Sequence, residues 1–287
     1  MEAVELLKKV RRIEIKTRGL TRHIFAGEYH SAFKGRGIAF SEVREYQYGD
    51  DIRSIDWNVT ARFNHPWIKV YEEERELTVM LLVDVSGSGD FGSKVSFKRD
   101  IMTEVAAVLS FSAIYNNDKI GVIFFTDKVE KFIPPQKGRK HILRIIRELL
   151  DFSPESHRTS LSEPLRFLTN AIRKRCTAFV ISDFLAPDFE EALRIASNKH
   201  DIVALRVTDP LEKTIPDVGL MKVLDSETGA EKWIDTSSKY VRKVYSDWHS
   251  RHADSLSNMM KKCAVDFTEL STGEDYVKPL IKLFKNR

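Results

Sequence analysis

The 287-residue sequence is 42% hydrophobic and 31% charged, with 46 Lys and Arg against 42 Asp and Glu for a formal net charge of +4. That apolar fraction supports a large buried core and excludes an intrinsically disordered chain, and the interspersed signs exclude the one-signed field of a dedicated nucleic-acid binder. Cys176 and Cys263 have no C-x-x-C or His partner at ligand spacing, which excludes a disulfide framework and a cysteine zinc site.

Residues Met1–Lys9 lack the charged-then-apolar order of a secretory signal, and the longest uncharged run, Val105–Asn117, falls well short of the roughly 20 apolar residues that span a bilayer. A soluble, cytoplasmic chain is the expectation. Leu6, Leu7, Val10 and Ile13 predict an amphipathic helix whose other face carries Lys8, Lys9, Arg11, Arg12, Lys16, Arg18 and Arg22. A stretch rich in Gly, Arg and Asp follows, and Trp67–Glu76 alternates into the first strand of a sheet. The sequence therefore reads as an N-terminal helix and signature segment over 1–75, joined to an α/β domain over 76–287.

Within the second part, nearly all-apolar runs at Val79–Val85, Ile120–Phe125, Ala178–Asp183 and Ile202–Val207 predict strands buried on both faces. Helical periodicity between them, over Phe97–Tyr115, Ile142–Leu150, Leu161–Ile172 and Phe189–Ala196, supplies the crossovers of a doubly wound, mostly parallel sheet. Val129–Ile133 reads as an antiparallel edge strand stopped by Pro134 and Pro135. Leu220–Leu224 and Glu231–Ile234 read as a hairpin. A helix over 238–262, a strand at Asp266–Leu270 and a helix at Asp275–Lys285 close the domain.

The chemistry concentrates where the first of these strands ends. Asp84-Val85-Ser86-Gly87-Ser88 reads D-x-S-x-S at a strand's carboxyl end, where open α/β sheets bind ligands. Mg²⁺ accepts six hard oxygens and keeps several waters, so neutral hydroxyls with carboxylates suit it, and Mn²⁺ is the alternative ion. Ser86 and Ser88 are the expected direct ligands and Asp84 a holder of coordinated water. Thr159, before the helix at Leu161, and Asp183, ending its strand, are expected to complete the set. In this order the five residues resemble the metal-ion-dependent adhesion site of the von Willebrand factor A fold. Gly87-x-Gly89-x-x-Gly92 also matches a dinucleotide fingerprint, but Asp84 would aim a carboxylate at the pyrophosphate and no acid follows the next strand at the usual spacing. Ser93-Lys94 reverses the order a phosphate loop requires, and no glycine sits two residues before Ser86 as a nucleophile elbow demands.

Gly35-x-Gly37-x-x-Phe40, Arg44-x-Tyr46, Gly49-Asp50-Asp51-x-Arg53-x-Ile55-Asp56-Trp57 and Ala61-Arg62 form a second dense motif. This block resembles the signature of the bacterial domain-of-unknown-function family 58, in which it precedes a von Willebrand A-like domain. The resemblance implies a non-enzymatic, metal-dependent adaptor or chaperone-like partner of a MoxR-type AAA+ ATPase, with a carboxylate of that partner completing the metal's coordination. Many relatives carry N-terminal membrane-spanning helices, a feature from which this sequence departs. Guanidinium–carboxylate pairing of Arg44, Arg53 and Arg62 with Asp50, Asp51 and Asp56 is expected to pin the segment down. Arg44, Tyr46, Asp56, Trp57 and Arg62 are the expected partner-facing groups, with the aromatic rings as anchors. The alternative is a Mg²⁺-dependent hydrolase of phosphate esters, which needs a base that the sequence does not place in the crevice. Asp127, His141 and His157 lie near that crevice without ligand spacing.

Overall fold

A computed structural model describes residues 11, 13, 37–74, 77–93, 96–224 and 229–287. The basic helix expected before residue 35 lies outside the described residues, apart from Arg11 and Ile13, which are helical. The chain forms two compact units, one spanning Lys34–Leu77 and the other containing Thr78–Arg287.

In the smaller unit, β1 (Gly37–Glu45) pairs antiparallel with β2 (Trp67–Glu74) in a sheet of its own. Trp67–Glu74 is thus paired with a strand the sequence reading did not contain, rather than leading into the larger sheet. A bulge between Phe40 and Glu42 explains the omission, because it breaks the period-two alternation that marks a strand. Between the strands, a turn of 3₁₀ helix at Ile52–Ser54 and helix α1 (Trp57–Phe63) are started by acids. Asp51 accepts the Arg53 N–H, and Asp56 accepts the N–H groups of Asn58 and Val59.

The larger unit is built on a six-stranded sheet. Its strands are β3 (Thr78–Asp84), β4 (Lys119–Phe125), β5 (Val129–Gln136), β6 (Thr177–Ser182), β7 (Asp201–Thr208) and β10 (Asp266–Ser271), in the spatial order β10-β7-β6-β3-β4-β5. All neighbours run parallel except β5, antiparallel to β4 at the edge. The chain leaves β3 for β4 on one side and later places β6 on the other, so the direction of winding reverses between β3 and β6. A doubly wound sheet opens its binding crevice at that point. Asp84 and Asp183 stand there.

Helices cover both faces. Met80, Leu82, Ile123, Val180 and Ala204 pack with residues of α4 (Ser162–Ala171), α5 (Glu190–Lys199) and α7 (Lys239–Lys262). Helix α2 (Lys98–Tyr115), α3 (Arg139–Asp151) and α8 (Val277–Lys285) take the opposite face, where Phe179 meets Phe284 edge-on. The short α6 (Pro210–Lys213) and the hairpin β8 (Leu220–Leu224)–β9 (Glu231–Asp235) follow β7.

Pro134 and Pro135 do not stop β5, which runs on to Gln136. The edge position tolerates their missing N–H groups, and a bulge opposite Gly121 makes room for them. A Cβ on Gly121 would lie 2.8 Å from the Ile133 carbonyl oxygen, the Pro135 nitrogen and Met80 Sδ, so no side chain fits.

Candidate metal site at the strand ends

Strand β3 carries six consecutive buried residues from Val79 to Asp84, so its last side chain is an acid delivered into the interior at the sheet's end. Asp84 Oδ1 accepts the Ser86 N–H at 3.0 Å and Oδ2 accepts the Ser182 hydroxyl at 2.7 Å. Ser182 Oγ in turn accepts the Phe184 N–H at 3.1 Å, which commits its proton to Asp84. The loop then turns through a 3₁₀ segment, Gly87–Asp90, and Ser86 Oγ and Ser88 Oγ stand 3.1 Å apart.

The adjacent strand, β6, delivers Asp183. Its Oδ1 accepts the Leu185 N–H at 3.1 Å, and Ser88 also hydrogen-bonds this carboxylate. Phe184, which separates the two, is held at φ 57° although it is buried and aromatic. Strain of this kind in a non-glycine residue persists where the surroundings impose it, commonly beside functional groups.

Thr159 comes from the loop between α3 and α4, which is tied to the strand ends at three places. The Gly87 N–H donates to the His157 carbonyl at 3.1 Å, the Ser160 N–H to the Thr126 carbonyl at 2.9 Å, and the Ser156 N–H to Glu130 Oε1 at 3.3 Å. Thr159 Oγ1 is buried there and has no hydrogen-bond partner among the described residues. A buried hydroxyl left unpaired costs about 1–3 kcal/mol, so this oxygen calls for a ligand.

The two acids are electrostatically unlike. Burial, reinforced by the nearby Asp183 charge, pushes the Asp84 carboxyl up to about 6. Burial acts the same way on Asp183, but the Lys98 ammonium overrides it and holds this carboxyl below the usual range. Lys98 is the first residue of α2, and only 1% of its side chain is exposed. Its Nζ lies 2.9 Å from Asp183 Oδ2 and 2.6 Å from Glu212 Oε1. Sequence reasoning missed Lys98, Glu212 and Ser182. A lysine one helical turn before Ile101 and Met102, on the stripe that continues to Val105, was the available signal.

Asp84, Ser86, Ser88 and Asp183 are joined through side-chain hydrogen bonds and Ser182, and Thr159 comes from a loop tied to the same strand ends by its neighbours' backbone. The chemistry of this set fits Mg²⁺: three hydroxyl oxygens, one of them an orphan, with two carboxylates. Among the described residues no group of three or more His, Cys, Asp and Glu is placed to hold a metal. His141 is buried with Nε2 on the Ile120 carbonyl at 2.9 Å, a structural contact. Asp127 shares the Thr126 hydroxyl with Glu130. Beside the loop a cleft of about 690 Å³ is lined by Asp183, Arg206, Glu212, Leu224, Tyr245 and Trp248.

The second motif arranges itself within its own unit. Arg44 makes a bidentate pair with Asp50, at 2.8 Å for each contact. The expected pairing of Arg53 and Arg62 with Asp51 and Asp56 does not form: those acids cap helical turns, and Asp56 Oδ2 instead sits 3.4 Å from Lys69. A cap satisfies backbone N–H groups that would otherwise be orphaned, which a surface ion pair does not. Tyr46 is half-buried, Arg62 is exposed and Trp57 is 70% exposed.

The sequence profile of the family described as "Protein of unknown function DUF58" matches residues 42–255, which takes in the Arg44–Arg62 part of the signature segment and the strand-end site. The chain belongs to the DUF58 family. An uncharacterized protein of Mycobacterium tuberculosis (strain ATCC 25618 / H37Rv), Rv1480, is 28% identical to it over 286 residues, covering 99% of this chain and 90% of its own. Among solved structures, the conserved hypothetical protein BatB from Bacteroides thetaiotaomicron superposes with a TM-score of 0.50 at 16% identity, over 73% of this chain and 98% of its own. An aerotolerance-related membrane protein from Bacteroides fragilis gives 0.51 at 15% identity, over 73% and 97%. This DUF58 chain thus has a von Willebrand A-like α/β fold. No helix among its described residues is long and apolar enough to cross a membrane.

Proposed function

We propose that this DUF58 protein is a non-enzymatic, divalent-metal-dependent protein-binding module, an adaptor or chaperone-like partner of a MoxR-type AAA+ ATPase. Ser86, Ser88 and Thr159 hold Mg²⁺ or Mn²⁺, with Asp84 and Asp183 binding it through water. The observation that carries the reading is the buried, unpartnered Thr159 hydroxyl in a loop whose His157 carbonyl takes the Gly87 N–H, next in sequence to the paired serines Ser86 and Ser88. A metal held mainly by neutral oxygens keeps its electrophilicity and takes a carboxylate from a partner, so partner affinity follows metal occupancy. The ATPase as partner rests on the family resemblance of the Gly35–Arg62 signature. Trp57, on the smaller unit, offers a second anchor of the kind enriched at binding hot spots.

The test is affinity capture from native lysate in Mg²⁺, in EDTA, and with a Ser86→Ala/Ser88→Ala variant. An AAA+ ATPase retained by the first and lost in both others supports the reading, and equal retention in all three refutes it. Metal-dependent turnover of phosphate esters that Asp84→Ala abolishes would establish a hydrolase instead.

A further inference from the structure

A lysine ammonium buried against an acid of a cation site opposes the cation that the site is built to take. Lys98 is in that position. Its Nζ contacts Asp183 Oδ2 at 2.9 Å, while Oδ1 accepts the Leu185 N–H and Ser88 also hydrogen-bonds the carboxylate, so the ammonium takes a position on a proposed ligand that a cation would use. Few exits are open to it, since the side chain is 1% exposed and the Phe91 ring lies 5.8 Å from Nζ.

A second seat exists. Glu212 Oε1 lies 2.6 Å from the same nitrogen, and its Oε2 accepts the Asp209 N–H at 3.0 Å, in a capping box that fixes the carboxylate at the start of α6. Asp209 is itself buried, receiving the Leu211 N–H at 2.9 Å and the Thr272 hydroxyl. Glu212 is therefore an anchored acid, not a mobile surface group.

We infer that Lys98 is a tethered counter-cation that sets the divalent affinity of the strand-end site, and that Glu212 is the seat holding its ammonium when a metal takes Asp183. The inference rests on the metal reading of the site. The ammonium stabilises the metal-free form by compensating Asp183 and competes with the ion for it, so both partners tune affinity without being ligands. Lys98 and Glu212 are positioning residues, and their removal has opposite consequences. Without Lys98 the site is more anionic and binds divalent ions more tightly. Without the Glu212 charge the ammonium is left to Asp183 alone and the ions bind more weakly. A clamp with only a structural role predicts that both losses loosen the site and weaken binding together.

The experiment titrates Mg²⁺ into the full chain by calorimetry, and into Lys98→Met, Lys98→Arg and Glu212→Gln variants, with melting curves in EDTA and in Mg²⁺. The expected result is affinity about tenfold higher for Lys98→Met, close to wild type for Lys98→Arg and several-fold lower for Glu212→Gln. The EDTA-to-Mg²⁺ shift in Tm widens for Lys98→Met. Unchanged or weaker binding by Lys98→Met, with binding by wild type intact, overturns this inference alone. Absence of binding by wild type and Lys98→Met alike overturns the metal reading with it. If Lys98→Met does not fold, Glu212→Gln decides: affinity equal to or above wild type overturns the inference.

Discussion

Replacing Asp84 by asparagine separates the cost of the site from its use. The Asp84 carboxyl lies at about 6 in the folded protein against an ordinary 3.8, because burial and the Asp183 charge disfavour its ionised form. The folded state therefore holds this proton more tightly than the unfolded chain does, and stability falls as pH rises through the window from about 4 to 6. At 1.36 kcal/mol per unit, the ionised group costs about 3 kcal/mol at pH 8 and about half that at pH 5. The substituted amide carries no charge, so it escapes this penalty. It keeps only one acceptor where the Asp84 carboxylate has two, and either amide orientation turns its NH₂ toward the Ser86 N–H or the Ser182 hydroxyl, a loss of about 1–2 kcal/mol relative to the carboxylate. The expected signature is a stability difference between Asp84→Asn and wild type that moves by about 1.5 kcal/mol in the variant's favour from pH 5 to pH 8. For a unit of this size that is roughly 3–6 °C in Tm. Scanning calorimetry in EDTA at the two pH values reads it, and titration of the buried histidines cancels in the comparison. A difference that is the same at both pH values would refute the argument, since Asp84 would then be ionised at no cost. Mg²⁺ should raise the Tm of wild type and leave that of Asp84→Asn in place.

Three further outcomes follow from named contacts. Thr159→Val exchanges an unpaired buried hydroxyl for a methyl, so metal-free stability should hold or rise by up to about 1 kcal/mol while Mg²⁺ affinity by calorimetry falls about tenfold; unchanged affinity removes Thr159 from the site. Trp57→Ala removes a side chain that is 70% exposed, so its urea midpoint should stay near wild type, within about 1 kcal/mol, and its capture of the partner should weaken; unfolding instead would make Trp57 structural. Gly121→Ala forces a Cβ to 2.8 Å from two backbone atoms of β5 and should destabilise by about 2–3 kcal/mol in urea; a loss under about 0.5 kcal/mol would mean that the edge strand yields freely.

The larger unit was legible because its physics is local and repetitive. Strands buried on both faces must be nearly all apolar, and β3, β4, β6 and β7 are, so their positions, within a residue or two, and their parallel direction follow from the sequence. The five candidate oxygen donors were placed by the same logic: each stands at or just beyond a strand's carboxyl end, or in the loop before a crossover helix, where chain direction alone locates it. What was not legible depended on pairing partners. Strand β1 hid behind a bulge, β5 crossed two prolines only because Gly121 of its neighbour has no side chain, and the acids of the second motif chose backbone N–H groups over the guanidinium groups beside them in sequence. Each outcome turns on which group another segment brings near, and composition does not record that.

Lys98 and Glu212 belong to this last class, and their case bears on how the site works. They are 114 residues apart, at the starts of α2 and α6, and neither lies in a motif, yet their contact decides the charge that a cation meets at Asp183. The features that run against the stability of the unit gather here: an acid that burial resists ionising, a hydroxyl without a partner, a buried ammonium shared by two carboxylates, and an aromatic residue at positive φ. Local violations concentrated at one switch point mark a place where the fold holds a group in reserve for a ligand, because packing alone would have removed each of them. A cation would relieve two of the four at once, by favouring the ionised form of Asp84 and engaging Thr159, and that convergence favours a divalent ion over a nucleotide or a serine nucleophile at the same loop.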